Sequence, residues 1–161
     1  MQQRRGAITA VIVASVALAG ASVTLAGGGG APDNLPGGKC RGQEPTIVGK
    51  KGDDAHLKGT RRRDIILARG GIDFIDARGG RDLICAGSGN DFVAPGTNDD
   101  KVYGDNGHDI LLGQGGNDKL FGNDGDDGMD GQKGRDSCEG GPGSDVAAGS
   151  GCERIKSANE V

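Results

Sequence analysis

A nine-residue period constrains this chain more than any other feature. Written in blocks of nine, residues 59–148 form ten consecutive repeats without an insertion or deletion. The sixth position is Asp in all ten: Asp64, Asp73, Asp82, Asp91, Asp100, Asp109, Asp118, Asp127, Asp136 and Asp145. The eighth is always apolar or small: Ile66, Ile75, Ile84, Val93, Val102, Leu111, Leu120, Met129, Cys138 and Ala147. The fourth is Gly in eight of ten, with Arg62 and Asn98 as the exceptions. An imperfect eleventh unit, residues 49–58, precedes the array, carries Asp54, and is one residue longer. Composition alone would mislead. With 34 Gly and only four aromatic residues in 161, the chain lacks the side chains for a large conventional core. Gly does not recur every third residue, which excludes collagen. The unbroken register argues against generic disorder.

The residue types say what each unit does. Gly admits positive φ and lets backbone carbonyls turn inward. Asp supplies a short, hard carboxylate, the ligand class Ca²⁺ takes at about 2.3–2.6 Å. The last three positions make a short strand whose middle side chain points to one face. Two units then make one coil, with strands on opposite sheets, loops on opposite edges, and the apolar ladder meeting itself in the middle.

Units such as Gly113-Gln114-Gly115-Gly116-Asn117-Asp118-Lys119-Leu120-Phe121 resemble the repeats-in-toxin (haemolysin-type) calcium-binding nonapeptide, G-G-x-G-x-D-x-U-x. The resemblance covers about 100 residues (49–148) and implies an all-β parallel β-roll. It also implies that Ca²⁺ lies between a loop and the one two repeats later, held by Asp carboxylates and loop carbonyls. On one edge this pairs Asp73 with Asp91, Asp91 with Asp109, Asp109 with Asp127, and Asp127 with Asp145. The other edge carries Asp64, Asp82, Asp100, Asp118 and Asp136, and Asp54 belongs to the imperfect unit.

The copies are unequal. Arg61-Arg62-Arg63 replaces the loop glycines before Asp64, which weakens an Asp64/Asp82 site and offers fixed positive charge instead. Asn98 is less damaging, because Asn tolerates left-handed geometry. The core thins at Met129, Cys138 and Ala147. The best sites are expected within residues 68–143. Carboxylates stacked about 4.8 Å apart repel one another, and cations reverse that sign. The array is therefore expected to be largely disordered without calcium.

Outside the repeats, residues 1–26 read as a cleaved signal peptide: Arg4 and Arg5, then an uncharged run, then small residues at Ala17-Leu18-Ala19 and Thr24-Leu25-Ala26. An uncleaved anchor is the alternative. Residues 27–48 form an N-terminal linker or cap, and residues 149–161 a C-terminal cap. Relatives of the toxin type usually carry a C-terminal secretion signal, so toxin function does not follow from the repeat. The expected location is extracellular, with no membrane attachment after cleavage. Residues 27–81 hold 11 Lys/Arg against 7 Asp/Glu (+4), and residues 82–161 hold 6 against 16 (−10). Such acidity disfavours nucleic acid and favours divalent cations.

Cys40, Cys85, Cys138 and Cys152 are an even set in an exported chain, which favours disulfides. Three pairings are possible. Cys40–Cys85 with Cys138–Cys152 is preferred, because each bridge would tie a non-repetitive end onto the nearest repeats, and solenoid ends need caps. His56 and His108 read as solvated loop residues. No G-x-S-x-G or H-E-x-x-H occurs, and the segments flanking the array are too short for a catalytic domain. No enzyme is expected. The expected role is a secreted calcium-folded scaffold, surface component or ion store. The alternative is an adhesin or partner-binding protein using the outer face, where Ile65, Leu67, Phe74, Leu83, Phe92, Ile110, Leu112 and Phe121 occupy outward positions. Residues 27–58 folding back over Phe74 and Cys85 would explain that surface without a partner.

Overall fold

The computed structural model describes residues 38–148 and 151–157, so the expected signal peptide lies outside the described residues. Among these residues there is no helix, and the chain coils through thirteen short strands in two all-parallel sheets. The first sheet contains β1 (Ile47–Val48), β3 (Ile65–Leu67), β5 (Leu83–Ser88), β7 (Lys101–Asn106), β9 (Lys119–Asp124), β11 (Asp136–Gly141) and β13 (Cys152–Ser157), in that order. The second contains β2 (Leu57–Lys58), β4 (Phe74–Asp76), β6 (Phe92–Ala94), β8 (Ile110–Leu112), β10 (Gly128–Asp130) and β12 (Val146–Ala147). Each strand pairs with the one two repeats away, as in Ile66↔Ile84 and Ile75↔Val93. The fold is the parallel β-roll expected from the period.

Strand length explains why the pattern needs only one apolar residue per unit. Alternation puts the middle residue of each triplet inward and its neighbours outward. Ile66, Ile75, Ile84, Val93, Val102, Leu111 and Leu120 are fully buried and form one continuous core with Met129 and Cys138. Ala147 is only half-buried, so the core thins at the last repeat. Sequence reasoning missed the strands flanking the array. β1 lies before the imperfect unit and pairs with β3, while β13 pairs with β11 through an irregular register. Neither carries a ladder Asp, so the period could not reveal them.

Two disulfides, Cys40–Cys85 and Cys138–Cys152, tie down the two ends. Both match the preferred pairing. The first belongs to a second apolar cluster on the outside of the first sheet, where Cys40, Ile65, Leu83 and Cys85 are buried and Leu67 and Tyr103 pack against them. Arg41 stacks 3.8 Å over the Tyr103 ring and forms an ion pair with Asp105. The segment expected to fold back covers Cys85 through Cys40 and Arg41, and reaches Phe74 only in part, through Asp54 and His56. Phe74 lies on the other sheet and is 41% exposed, stacked on Phe92 at 4.5 Å and edge-on to His56.

Candidate metal centre

From Asp73 to Asp145 each ladder Asp follows a turn whose shape depends on left-handed backbone. At Gly107 (φ +137°) a β-carbon would fall 1.7 Å from the carbonyl oxygen of Gly89, one coil earlier. Only Gly fits against that oxygen, and the stacking of carbonyl on glycine sets how closely the loops approach. Asn98 takes the same left-handed position with φ 84°. The second loop position is left-handed as well, even where it is Arg69, Arg78, Gln114 or Gln132.

The two carboxylate oxygens of each Asp have different surroundings. Oδ1 accepts a hydrogen bond from the backbone N–H of the Asp one coil earlier. Asp73, Asp91 and Asp109 donate to Asp91, Asp109 and Asp127 at 2.8, 2.8 and 2.9 Å, and Asp127 to Asp145 at 3.1 Å. Asp54 joins this edge by donating to Asp73. On the other edge Asp64, Asp82, Asp100 and Asp118 donate to Asp82, Asp100, Asp118 and Asp136, each at 2.8 Å. Oδ1 therefore holds coil to coil.

Oδ2 is different. In Asp73, Asp82, Asp91, Asp100, Asp109, Asp118, Asp127, Asp136 and Asp145 it is buried with no hydrogen-bond partner. A buried carboxylate oxygen left unpartnered is costly, so it calls for a counter-charge. The exceptions are the two N-terminal members. Asp54 Oδ2 accepts from the Lys50 N–H at 2.7 Å, and Asp64 Oδ2 from the N–H and hydroxyl of Thr60 at 2.7 and 2.9 Å.

Loop glycines, having no β-carbon, let the chain pass close to these oxygens. A β-carbon on Gly104 would lie 2.2 Å from Asp109 Oδ2 and 2.8 Å from the Gly122 carbonyl oxygen, so a carboxylate and a carbonyl of the next coil converge on one point. Among the described residues no three His, Cys, Asp or Glu side chains come together. Backbone carbonyls must therefore supply much of any coordination sphere, as suits a hard, oxygen-preferring cation such as Ca²⁺. The donor set fits that ion. Sequence reading identified the carboxylates but not the division of labour between their two oxygens.

Burial pushes the carboxyls of Asp73, Asp82, Asp91, Asp100, Asp109, Asp118 and Asp127 upward, with neighbouring Asp charges adding to the effect and backbone N–H donors opposing it. Asp100 and Asp109 rise to about 7, and Asp82, Asp91 and Asp118 to about 6. Folded values above the ordinary 3.8 mean that the metal-free roll is favoured below about pH 4 and loses stability as pH rises through 6–7. Cation binding has the opposite sign, because the ligands must be ionised. Calcium affinity measured at pH 8 and pH 5.5 should be weaker at pH 5.5, while β-structure in excess chelator should increase there. Affinity equal at both values would show that these carboxyls are ionised throughout.

A further ladder runs along the loop rims. Asn90 Oδ1 accepts from the His108 N–H, His108 Nδ1 from the Asp126 N–H, and Asp126 Oδ1 from the Ser144 N–H. His108 is thus a rung in the edge stacking. His56 instead packs beside Phe74.

Comparison with known proteins agrees with this geometry. No curated protein and no solved structure matches the chain. The RTX calcium-binding nonapeptide repeat matches in four copies, at residues 58–93, 96–120, 103–138 and 112–147, which together span more than half of the sequence. The Gly/Asp register, the two-sheet roll and these matches agree: the chain belongs to the RTX calcium-binding nonapeptide repeat family.

Proposed function

We propose that this chain is an exported calcium-binding protein in which Ca²⁺ is a structural ion, and that the calcium-stiffened roll serves as a scaffold, surface component or ion store. The observation that carries this reading is the row of nine buried Asp Oδ2 atoms without a hydrogen-bond partner. Export is supported by the leader-like residues 1–26 and by two disulfides, which persist in oxidising compartments. The reading is one of binding rather than catalysis, since the carboxylates are arranged as stacking and ligand groups. Calorimetric titration of the full chain with calcium, paired with far-ultraviolet circular dichroism, tests it. Saturable binding with a gain of β-signal is expected, at affinities of about 10⁻⁴–10⁻³ M or tighter. Absence of calcium-dependent heat and of any spectral change would overturn the proposal.

A second reading, an adhesin or other partner-binding protein, is favoured by one specific feature. Ile72, Phe74 and Ile110 are 62, 41 and 48% exposed beside the Phe74–Phe92 stack, on the sheet that the N-terminal cap leaves open. Contiguous apolar surface of this kind marks interaction sites.

A further inference from the structure

We propose that the loop edge leading into the first sheet carries a binding track for an acidic polysaccharide, centred on Arg61 and Arg78. This surface lies apart from the apolar face around Phe74 and uses none of the ladder carboxylates. Its starting point is the Arg61-Arg62-Arg63 run, which replaces loop glycines in the first regular repeat. The run does not act as an internal counter-charge. Asp64 Oδ2 is held by Thr60, Arg63 donates to Gln43 Oε1 at 2.7 Å, and all three Arg are exposed.

The coil sorts charge between its two edges. The loops entering the first sheet (residues 59–63, 77–81, 95–99, 113–117 and 131–135) hold 7 Lys/Arg against 1 Asp ahead of their ladder residue (+6). The opposite loops (residues 49–53, 68–72, 86–90, 104–108, 122–126 and 140–144) hold 3 against 4 (−1). Asp64, Asp82, Asp100, Asp118 and Asp136 are buried beneath the first of these rims. Positive charge is densest in its first two loops, where Arg61, Arg62, Arg63, Arg78 and Arg81 are all exposed. Among the described residues only Arg81 of these five has an ion-pair partner, Asp99 at 3.4 Å. Five neighbouring cations with one counter-charge repel one another, and a bound anion relieves that repulsion.

The edge also has the shape and the neutral groups to hold a chain of sugars. Arg61, Arg78, Gly79, Thr97 and Asn98 line a depression of about 490 Å³. From it Gly79, Thr97, Gly115 and Lys133 continue in register, one coil apart. Coils repeat about every 4.8 Å, close to the rise of one hexose along an extended polysaccharide. Such a ligand meets Arg forks for its carboxylate or sulfate groups. Exposed Thr97, Asn98, Gln114, Asn117 and Gln132 supply donors and acceptors for its hydroxyls. Other polyanions fit less well. These loops hold no aromatic residue on which a base could stack. Their only apolar residues besides Gly, Ala77 and Pro95, are buried, which leaves nothing to enter a bilayer.

Binding of the full chain, in saturating calcium, to dextran sulfate tests the assignment, with neutral dextran, single-stranded DNA and phosphatidylglycerol vesicles in parallel. Dextran sulfate should bind saturably and weaken with salt, and neutral dextran should not bind. Arg61→Gln with Arg78→Asn should weaken dextran sulfate binding about tenfold and lower the salt slope by about two. Asn suits the left-handed backbone at Arg78 (φ 72°), so the variant should keep the parent's circular dichroism. Lys51→Gln with Arg69→Asn removes the same charge from the opposite edge and should change affinity by less than about twofold. Equal weakening in both variants would reduce the effect to net charge and overturn the track. No binding of dextran sulfate would overturn it as well. DNA or vesicles bound as tightly as dextran sulfate would overturn the polysaccharide assignment.

Discussion

Replacing Cys40 and Cys85 together by Ser is expected to destabilise the whole roll, whereas replacing Cys138 and Cys152 should fray only its last turns. Both bridges close loops, of 45 and 14 residues. The chain-entropy estimate assigns them about 4 and about 3 kcal/mol respectively, so loop length alone predicts only a modest difference. Position in the fold makes the difference large. Cys40 and Cys85 are buried in the outer cluster with Ile65 and Leu83, and the same cap holds Arg41 over Tyr103. Losing that bridge frees the segment covering the first sheet and exposes apolar surface on β3 and β5. In a stack where each coil contacts only its neighbours, instability in the first coils passes to those laid upon them. Cys138 and Cys152 lie at the other end, where β12 has two residues and β13 pairs irregularly. Thermal unfolding with and without calcium checks the comparison. The Cys40/Cys85 variant should show a lowered midpoint in both conditions and weakened calcium binding. The Cys138/Cys152 variant should keep the midpoint of the bulk transition and bind calcium around Asp109 almost normally. Abolished calcium binding in the second variant alone would mean that the roll orders from its C-terminal end.

That asymmetry was only partly legible in the sequence. The period specified the coil because a single inward residue per triplet suffices for a two-sheet roll, and Ile66, Ile84 and Val102 recur every second repeat on one sheet. The disulfide partners followed from the need to close both ends. β1 and β13 escaped notice because an end strand needs neither the Asp nor the glycines, only a neighbour to pair with. Left-handed Arg69, Arg78, Gln114 and Gln132 could not have been read from letters, since such residues seldom adopt that conformation and do so here where the stacked coils dictate the turn. The outer face was only partly legible for a related reason. Phe74 and Cys85 are close in sequence, yet successive repeats alternate between sheets and place them on opposite sides.

Asp109→Ala should reduce the calcium count, and Asp64→Ala should not. Asp109 has two tasks. Its Oδ1 accepts the Asp91 N–H at 2.8 Å, and its Oδ2 is buried close to Gly104 without a hydrogen-bond partner. Alanine removes both, leaving a buried N–H unsatisfied at a cost of about 1–3 kcal/mol in addition to the lost ligand. Asp109→Asn separates the tasks, because its amide oxygen can still accept the Asp91 N–H while the charge is gone. The Asn variant should therefore stay folded in chelator as well as the parent does and still lose calcium. Asp64 is different at every point. Its Oδ2 is held by the N–H and hydroxyl of Thr60, and its neighbours include Arg61, Arg62 and Arg63. Alanine there should loosen the first loop and lower the unfolding midpoint slightly, with the ion count unchanged. Calorimetry on the three variants, read beside hydrogen exchange of the Asp91 amide, distinguishes a lost ligand from a lost hydrogen bond. Equal losses of calcium in Asp64→Ala and Asp109→Ala would show that the carboxylates act as a diffuse acidic surface rather than through individual loop sites.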